Sequence, residues 1–316
     1  MLALRRSPAP TLDPGEEGTT AMTDSAPVDD AGPGTDASGD APPGPGDRAA
    51  SRGWPRRPRL LLGVVATAIV SVAAVAVLRQ PPADPDGLVI LYGDSLSLEA
   101  SGAFVDALGR TSDAEVLLRL APATSVCDAR PGMDEDVPAA PDVVVIQYVG
   151  NNSSPCTSGP DGAPLTGRAL ADRTEADVRA AVEMWAAAGA RVVLVGGPAA
   201  PGLPGEADAA ITEAYIRVVN EWAGRDLGRV RYADAAATVS GADHAYAARL
   251  PCRADEGEDE GCDDGEVTVR SPDRIHFCPT DARDERTVAC PVASPGAVRF
   301  GEEMARVARL ALDPGY

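Results

Sequence analysis

Two histidines in 316 residues are the scarcest side chains able to move a proton near neutral pH. His276 follows Asp273 by three positions in Asp273-Arg274-Ile275-His276, close enough for the carboxylate to hold one ring nitrogen. The other nitrogen is then free to take a proton from a hydroxyl, which is the base-plus-orienter half of nucleophilic acyl transfer. A candidate hydroxyl is Ser95 in Gly93-Asp94-Ser95-Leu96, where an apolar run, Leu88 to Tyr92, gives way to a helical pattern. A serine at such a turn sits at the carboxyl edge of a sheet and at the amino end of a helix, whose free N–H groups favour negative charge. Serine and aspartate are equally ordinary helix caps, and an Asp-x-x-His taken alone is a weak signal, so both readings stand at this point. The second histidine, His244, lies in the polar stretch Ser240-Gly241-Ala242-Asp243-His244 and reads as a solvated surface residue.

The elements that would position these groups alternate along the second two thirds of the chain. Continuous apolar strands are expected at 88–92, 115–120, 142–148, 191–196 and 229–233, and amphipathic helices at 95–109, 170–189, 206–224 and 295–312. In the first helix Leu98, Phe104, Val105 and Leu108 are expected near one face. Alternating βα units with uninterrupted apolar strands imply one α/β domain whose parallel sheet is covered on both sides. Functional groups in such a sheet gather at the strands' carboxyl ends. Ser95, the segment Ala121 to Cys127, the segment Gly150 to Cys156 and the segment Ser271 to Cys278 should therefore meet on one rim.

Composition narrows the function classes. A formal net charge of −20 argues against a nucleic-acid partner, because phosphate binding needs clustered basic residues. Every basic side chain other than the histidines is arginine. Residues 1–58 are rich in Pro, Gly, Ala and Asp and poor in large apolar side chains, and are expected to be a disordered tail. Arg52, Arg56, Arg57 and Arg59 then precede an uncharged run from Leu60 to Leu78, roughly 28 Å long as a helix, about one bilayer core. Residues 59–79 are accordingly expected to be a single transmembrane helix, with the arginine-flanked amino terminus cytoplasmic and the remainder outside. A cleaved signal segment, giving a secreted product, is the alternative. Pro81 to Asp86 reads as a stiff linker within residues 80–86, and 87–316 as the extracytoplasmic domain.

In chain order, Gly93-Asp94-Ser95-Leu96, Gly150-Asn151-Asn152 and Asp273-Arg274-Ile275-His276 resemble the motif blocks of the SGNH (GDSL-type) serine hydrolases, over about residues 87–316. The resemblance implies a three-layer α/β/α sandwich with a parallel, flavodoxin-like sheet. It implies Ser95 as nucleophile, His276 as general base and Asp273 as the residue that orients the imidazole. The oxyanion would be met by the backbone N–H of Ser95, the side-chain amide of Asn152 and the N–H following the second strand, here that of Ala123. Two departures stand out. Ala123 occupies a position that the family gives to glycine, and the donor survives there unless the turn demands positive φ, which costs an alanine about 1–2 kcal/mol. Ser153 stands where aspartate often ends the third block, a change that bears on loop geometry more than on chemistry.

The six cysteines all lie after residue 120, as expected of disulfides formed in an oxidising compartment. On the resemblance, Cys127 and Cys156 flank the two oxyanion loops, and a bridge between them would hold both donors. Cys252 with Cys262 and Cys278 with Cys290 are the locally simplest remaining pairs among the fifteen pairings that six cysteines allow. Asp255, Glu256, Glu258, Asp259, Glu260, Asp263, Asp264 and Glu266 read as a solvated acidic loop; without EF-hand spacing no metal is assigned to them. The expected protein is a membrane-anchored, outward-facing serine esterase or acyl hydrolase needing no cofactor. Its expected substrate is an ester-bearing small molecule, lipid or glycan, with O-acetyl groups of envelope glycans among the targets. An O-acyltransferase and a non-catalytic glycan-binding protein that keeps the fold are the alternatives, and the sequence leaves the oligomeric state open.

Overall fold

The computed structural model describes residues 86–201, 207–279, 290, 292–313 and 315. The chain divides after Ala76 into two units, and every described residue belongs to the second. The expected tail and the apolar segment 59–79 lie outside the described residues, as does most of the linker. Among the described residues no helix is long and apolar enough to cross a membrane.

Five parallel strands form the central sheet: β1 (Leu88–Gly93), β2 (Glu115–Leu120), β3 (Val143–Gln147), β4 (Arg191–Val195) and β5 (Val230–Ala233). Their spatial order is β2-β1-β3-β4-β5, all parallel, which is the flavodoxin-like order. The order reverses direction at β1, so the crevice over the carboxyl ends of β1 and β3 is the expected place for a ligand. Every residue of β3 is buried, whereas β2, at an edge, is half exposed.

Alternation along β1 shows how two apolar layers use one strand. Val89 and Leu91 face a core built with α1 (Ser95–Gly109) and the last helix, α5 (Pro295–Leu312). Ile90 and Tyr92 face the opposite core, built with α2 (Val126–Asp136), α3 (Gly167–Ala187) and α4 (Ala207–Ala223). The result is the α/β/α sandwich that the pattern implied. The buried face of α1 is Leu96, Ala100, Phe104 and Leu108, at strict four-residue spacing. Leu98 is only half-buried and Val105 is 36% exposed, so the expected face was rotated by part of a turn. The Asp94 cap fixes this phase, because it starts the helix at Ser95 with Leu96 turned inward.

Two elements were not expected from the sequence. Helix α2 starts on a reciprocal capping box, with the Asp128 carboxylate accepting the Ser125 N–H at 2.9 Å. It tolerates Pro131 in its sixth position, although proline lacks the interior helix donor. The short antiparallel ribbon of β6 (Arg249–Pro251) and β7 (Glu266–Thr268) carries the acidic loop. Three of its carboxylates, those of Glu256, Glu260 and Glu266, are engaged. Glu256, itself half-buried, pairs with Arg299, whose side chain is only 5% exposed and also donates to the Pro251 carbonyl at 2.8 Å. The Glu260 carboxylate accepts the Gly257 N–H at 2.9 Å, and Glu266 pairs with Arg249.

Three disulfides join Cys127 to Cys156, Cys252 to Cys262 and Cys278 to Cys290. The first ties the start of α2 to the loop after β3; the other two close short loops within the second half of the domain.

Candidate active site

Ser95 is the first residue of α1, delivered by β1 to the carboxyl edge of the sheet. Gly93 is needed just before it, because a Cβ there would stand 2.3 Å from the Ser97 side chain and 3.2 Å from the Gln147 carbonyl. That close approach lets the buried Ser97 bond to Gln147: Oε1 of Gln147 accepts the Ser97 N–H at 3.0 Å and its hydroxyl at 2.6 Å. The first turn of the nucleophile helix is thereby locked to the end of β3.

His276 reaches Ser95 across 181 residues of sequence, with Nε2 2.9 Å from the serine Oγ. Its Nδ1 lies 2.7 Å from Asp273 Oδ2. An ionised carboxylate can only accept, so Nδ1 carries the proton and the Nε2 lone pair faces the Ser95 hydroxyl. Burial acts to raise the Asp273 pKa, but hydrogen bonds from the Ser271 hydroxyl and from His276 and Ile275 outweigh it and hold the carboxyl well below its usual range. Oδ1 takes the Ile275 N–H at 2.8 Å and the His276 N–H at 3.0 Å, so the aspartate also shapes the turn that carries its histidine. The loop is closed by the Ser271 N–H donating to the His276 carbonyl at 2.8 Å.

Two further loops complete the rim. After β2, Ala123 adopts φ +58°, the left-handed region where an alanine is strained. After β3, Gly150 adopts φ +92°, and a Cβ there would meet Ile211 at 2.2 Å. The two asparagines that follow divide their work. Asn151 spends its amide bridging the loops, donating to the Thr124 carbonyl at 3.0 Å and to Asp94 at 3.3 Å. Asn152 donates to the Leu165 carbonyl at 2.8 Å, which fixes the side chain and uses one of its two N–H groups. The second finds no acceptor among the described residues, and neither do the backbone N–H groups of Ser95 and Ala123. Ser153, at the departure from the family pattern, places its hydroxyl 3.4 Å from the Ala123 carbonyl and so still touches the neighbouring loop.

Sequence reasoning weighed a cap reading for Ser95 and gave Asp94 no part, whereas the structure makes Asp94 the cap of α1 and more. The buried carboxylate caps α1 through the Leu96 N–H at 3.0 Å and also accepts the Val149 N–H at 2.9 Å and the Asn151 amide. It thus joins the nucleophile's helix to the loop bearing Asn152. Burial raises its pKa to about 6 against the lowering effect of those backbone N–H bonds. Arg270 was also missed: its buried guanidinium donates to the Ile275 carbonyl at 2.9 Å and the Ala199 carbonyl at 2.6 Å, tying the histidine loop to the segment after β4. No sequence signal marks these contacts, because the partners are remote in the chain or are backbone atoms. His244 stands apart from this network, more than half exposed and 3.4 Å from Asp234.

No protein-family model matches the chain, and no curated protein matches it by sequence. Among solved structures, the chain is similar to a protein of Bacteroides fragilis assigned as an acylhydrolase, at 14% identity and a TM-score of 0.47, over 76% of this chain and 95% of that one. It is similar to a Desulfitobacterium hafniense protein assigned to the G-D-S-L family of lipolytic proteins, at 18% identity and a TM-score of 0.42, over 70% and 98%. It is also similar to an acetylxylan esterase from Geobacillus stearothermophilus, at 16% identity and a TM-score of 0.37, over 48% and 77%.

Proposed function

We propose that the described domain is a serine ester hydrolase of the SGNH (GDSL) type. The observation that carries the reading is the unbroken chain from Ser95 Oγ to His276 Nε2 at 2.9 Å and from His276 Nδ1 to Asp273 Oδ2 at 2.7 Å. In the proposed reaction Ser95 attacks the ester carbonyl while His276 takes its proton on Nε2, and the Asp273 carboxylate stabilises the imidazolium that forms. The oxyanion is met by the Ser95 and Ala123 backbone N–H groups and by the spare N–H of Asn152, donors left without acceptors among the described residues. Collapse expels the alcohol, which takes the proton from His276, and leaves an acyl-Ser95 ester. Water, deprotonated by the same imidazole, attacks that ester, and Ser95 leaves with the proton restored.

The finer reading is an enzyme anchored by the Leu60–Leu78 segment, with its amino terminus in the cytoplasm and the hydrolase domain outside. Arginines crowding one end of that segment support the orientation. The polar run Asn151-Asn152-Ser153-Ser154 on the loop after β3 supports a polar ester, such as an O-acetylated envelope glycan, as the substrate. A sugar hydroxyl in place of water would make the same acyl-enzyme a transferase. Release of p-nitrophenol from p-nitrophenyl acetate by the native chain, abolished in Ser95→Ala, tests the esterase reading. A folded native chain no faster than the alanine variant would defeat it.

A further inference from the structure

We propose that Glu99 is a positioning residue that sets the distance between nucleophile and base, an inference that rests on the esterase reading of Ser95 and His276. Glu99 lies four residues beyond Ser95 on α1, so the two side chains emerge from the same face about one turn apart. Its carboxylate Oε2 accepts the backbone N–H of Phe277 at 2.7 Å, and Phe277 is the residue directly after His276. The contacts close a ring. Ser95 meets the imidazole at 2.9 Å, the imidazole's own chain continues to Phe277, and the Phe277 N–H returns to the Ser95 helix through Glu99. The histidine loop is therefore held by the very helix whose hydroxyl it must deprotonate.

The rest of Phe277 makes this bond a lever on the histidine. Its ring is fully buried 5.0 Å from Phe300 of α5, and its carbonyl accepts the Ser294 hydroxyl at 3.2 Å. The aromatic anchor fixes the loop to α5, and Ser294 does the same from the cap of that helix. The Glu99 bond is the Phe277 contact that runs directly to α1. Without it the loop keeps its internal turn, built by Asp273 and Ser271, and its anchor on α5, but the His276–Phe277 segment loses its hydrogen bond to α1 and can draw away from Ser95, opening the serine–imidazole contact. A misplacement of about 1 Å at reacting atoms costs on the order of 100-fold in rate.

The test uses the full chain and p-nitrophenyl acetate, with Glu99→Ala, Glu99→Gln and Glu99→Asp. Glutamine keeps an oxygen that accepts the same N–H, whereas alanine has no acceptor and aspartate is one methylene short. The expected result is a fall in kcat of about 10- to 100-fold for Glu99→Ala and Glu99→Asp, with KM little changed and most of kcat restored in Glu99→Gln. Should Glu99→Ala fail to fold, Glu99→Asp, which keeps charge and polarity, carries the comparison. Native kcat in the alanine or aspartate variant, or an equal loss in the glutamine variant, would overturn the positioning role while leaving the esterase intact. A native chain no more active than Ser95→Ala would instead remove the esterase reading, and this inference with it.

Discussion

Replacing Ala123 by glycine should stabilise the protein, against the usual rule that alanine is the safer residue. Ala123 holds φ +58°, and its side chain is exposed, so removing the methyl forfeits no packing. An L-residue in that region carries about 1–2 kcal/mol of strain that glycine does not. Glycine gives back about 0.5–1 kcal/mol through the greater freedom of the unfolded chain. The net gain lies between about 0 and about 1.5 kcal/mol, centred near about 0.75, or about 2–3 °C in Tm for a domain of this size. Ala123→Val makes the opposite case, because a β-branched side chain tolerates positive φ less well, and it should lower both Tm and esterase rate. Both substitutions keep the backbone N–H that would meet the oxyanion, so the glycine variant should hydrolyse p-nitrophenyl acetate within a few-fold of the native rate. The assay is thermal denaturation of the two variants beside the native protein, with initial rates on the same samples. A glycine variant that melts at or below the native temperature would refute the strain argument.

Asp273→Asn should lower kcat by about 10³–10⁴, since an amide opposite Nδ1 no longer enforces the required tautomer; steady-state rates check this. Asp94→Asn should cost about 1–3 kcal/mol, because an amide can still cap Leu96 but turns N–H groups toward the Val149 N–H; urea denaturation measures it. The same pair reports a pH effect of known sign. With a folded-state pKa near 6, above the ordinary carboxyl value, the native state binds the extra proton. Asp94 therefore contributes stability that is lost as pH rises from about 4 to about 6, by up to about 3 kcal/mol. The native-minus-Asp94→Asn difference should shrink over that interval, and a difference independent of pH would contradict it. Asp273 has the opposite sign: its lowered pKa adds stability above the ordinary carboxyl range that is lost as pH falls below it. Cysteine-to-serine replacement at 127 and 156 opens a cross-link spanning 29 residues and should cost about 3–4 kcal/mol. It should also reduce activity more than loss of the Cys252–Cys262 bridge, because it frees the loops bearing Ala123 and Asn152; paired melting and rate measurements decide it.

The parts of this fold that were legible in sequence are those set by local pattern. Strands such as Val143–Gln147 announce themselves as unbroken apolar runs, and the α/β alternation follows from their spacing. Helix α2 was not legible, because Pro131 and Gly132 with five acidic or basic neighbours mask a helix that a capping box and the Cys127–Cys156 bridge secure. The phase of α1 depended on which residue capped it, and choosing Leu98 and Val105 for the buried face missed Leu96 and Ala100. At the rim, Ser95, Asp273 and His276 could be singled out by residue type and motif, and the structure brings them together. The supporting contacts of Asp94 with Val149, Gln147 with Ser97 and Arg270 with the Ile275 carbonyl could not, since they join backbone or buried groups 5 to 55 residues apart. The strain at Ala123 was foreseen only as a condition, because φ is a property of the turn and not of the residue.

The most direct measurement is covalent: the intact chain is treated with a fluorophosphonate, and the modified peptide is mapped by mass. The expected result is a single adduct on Ser95, absent from Ser95→Ala and formed far more slowly in His276→Ala. A folded native chain that stays unmodified, or an adduct on any other serine, would contradict the assignment of Ser95 as the nucleophile.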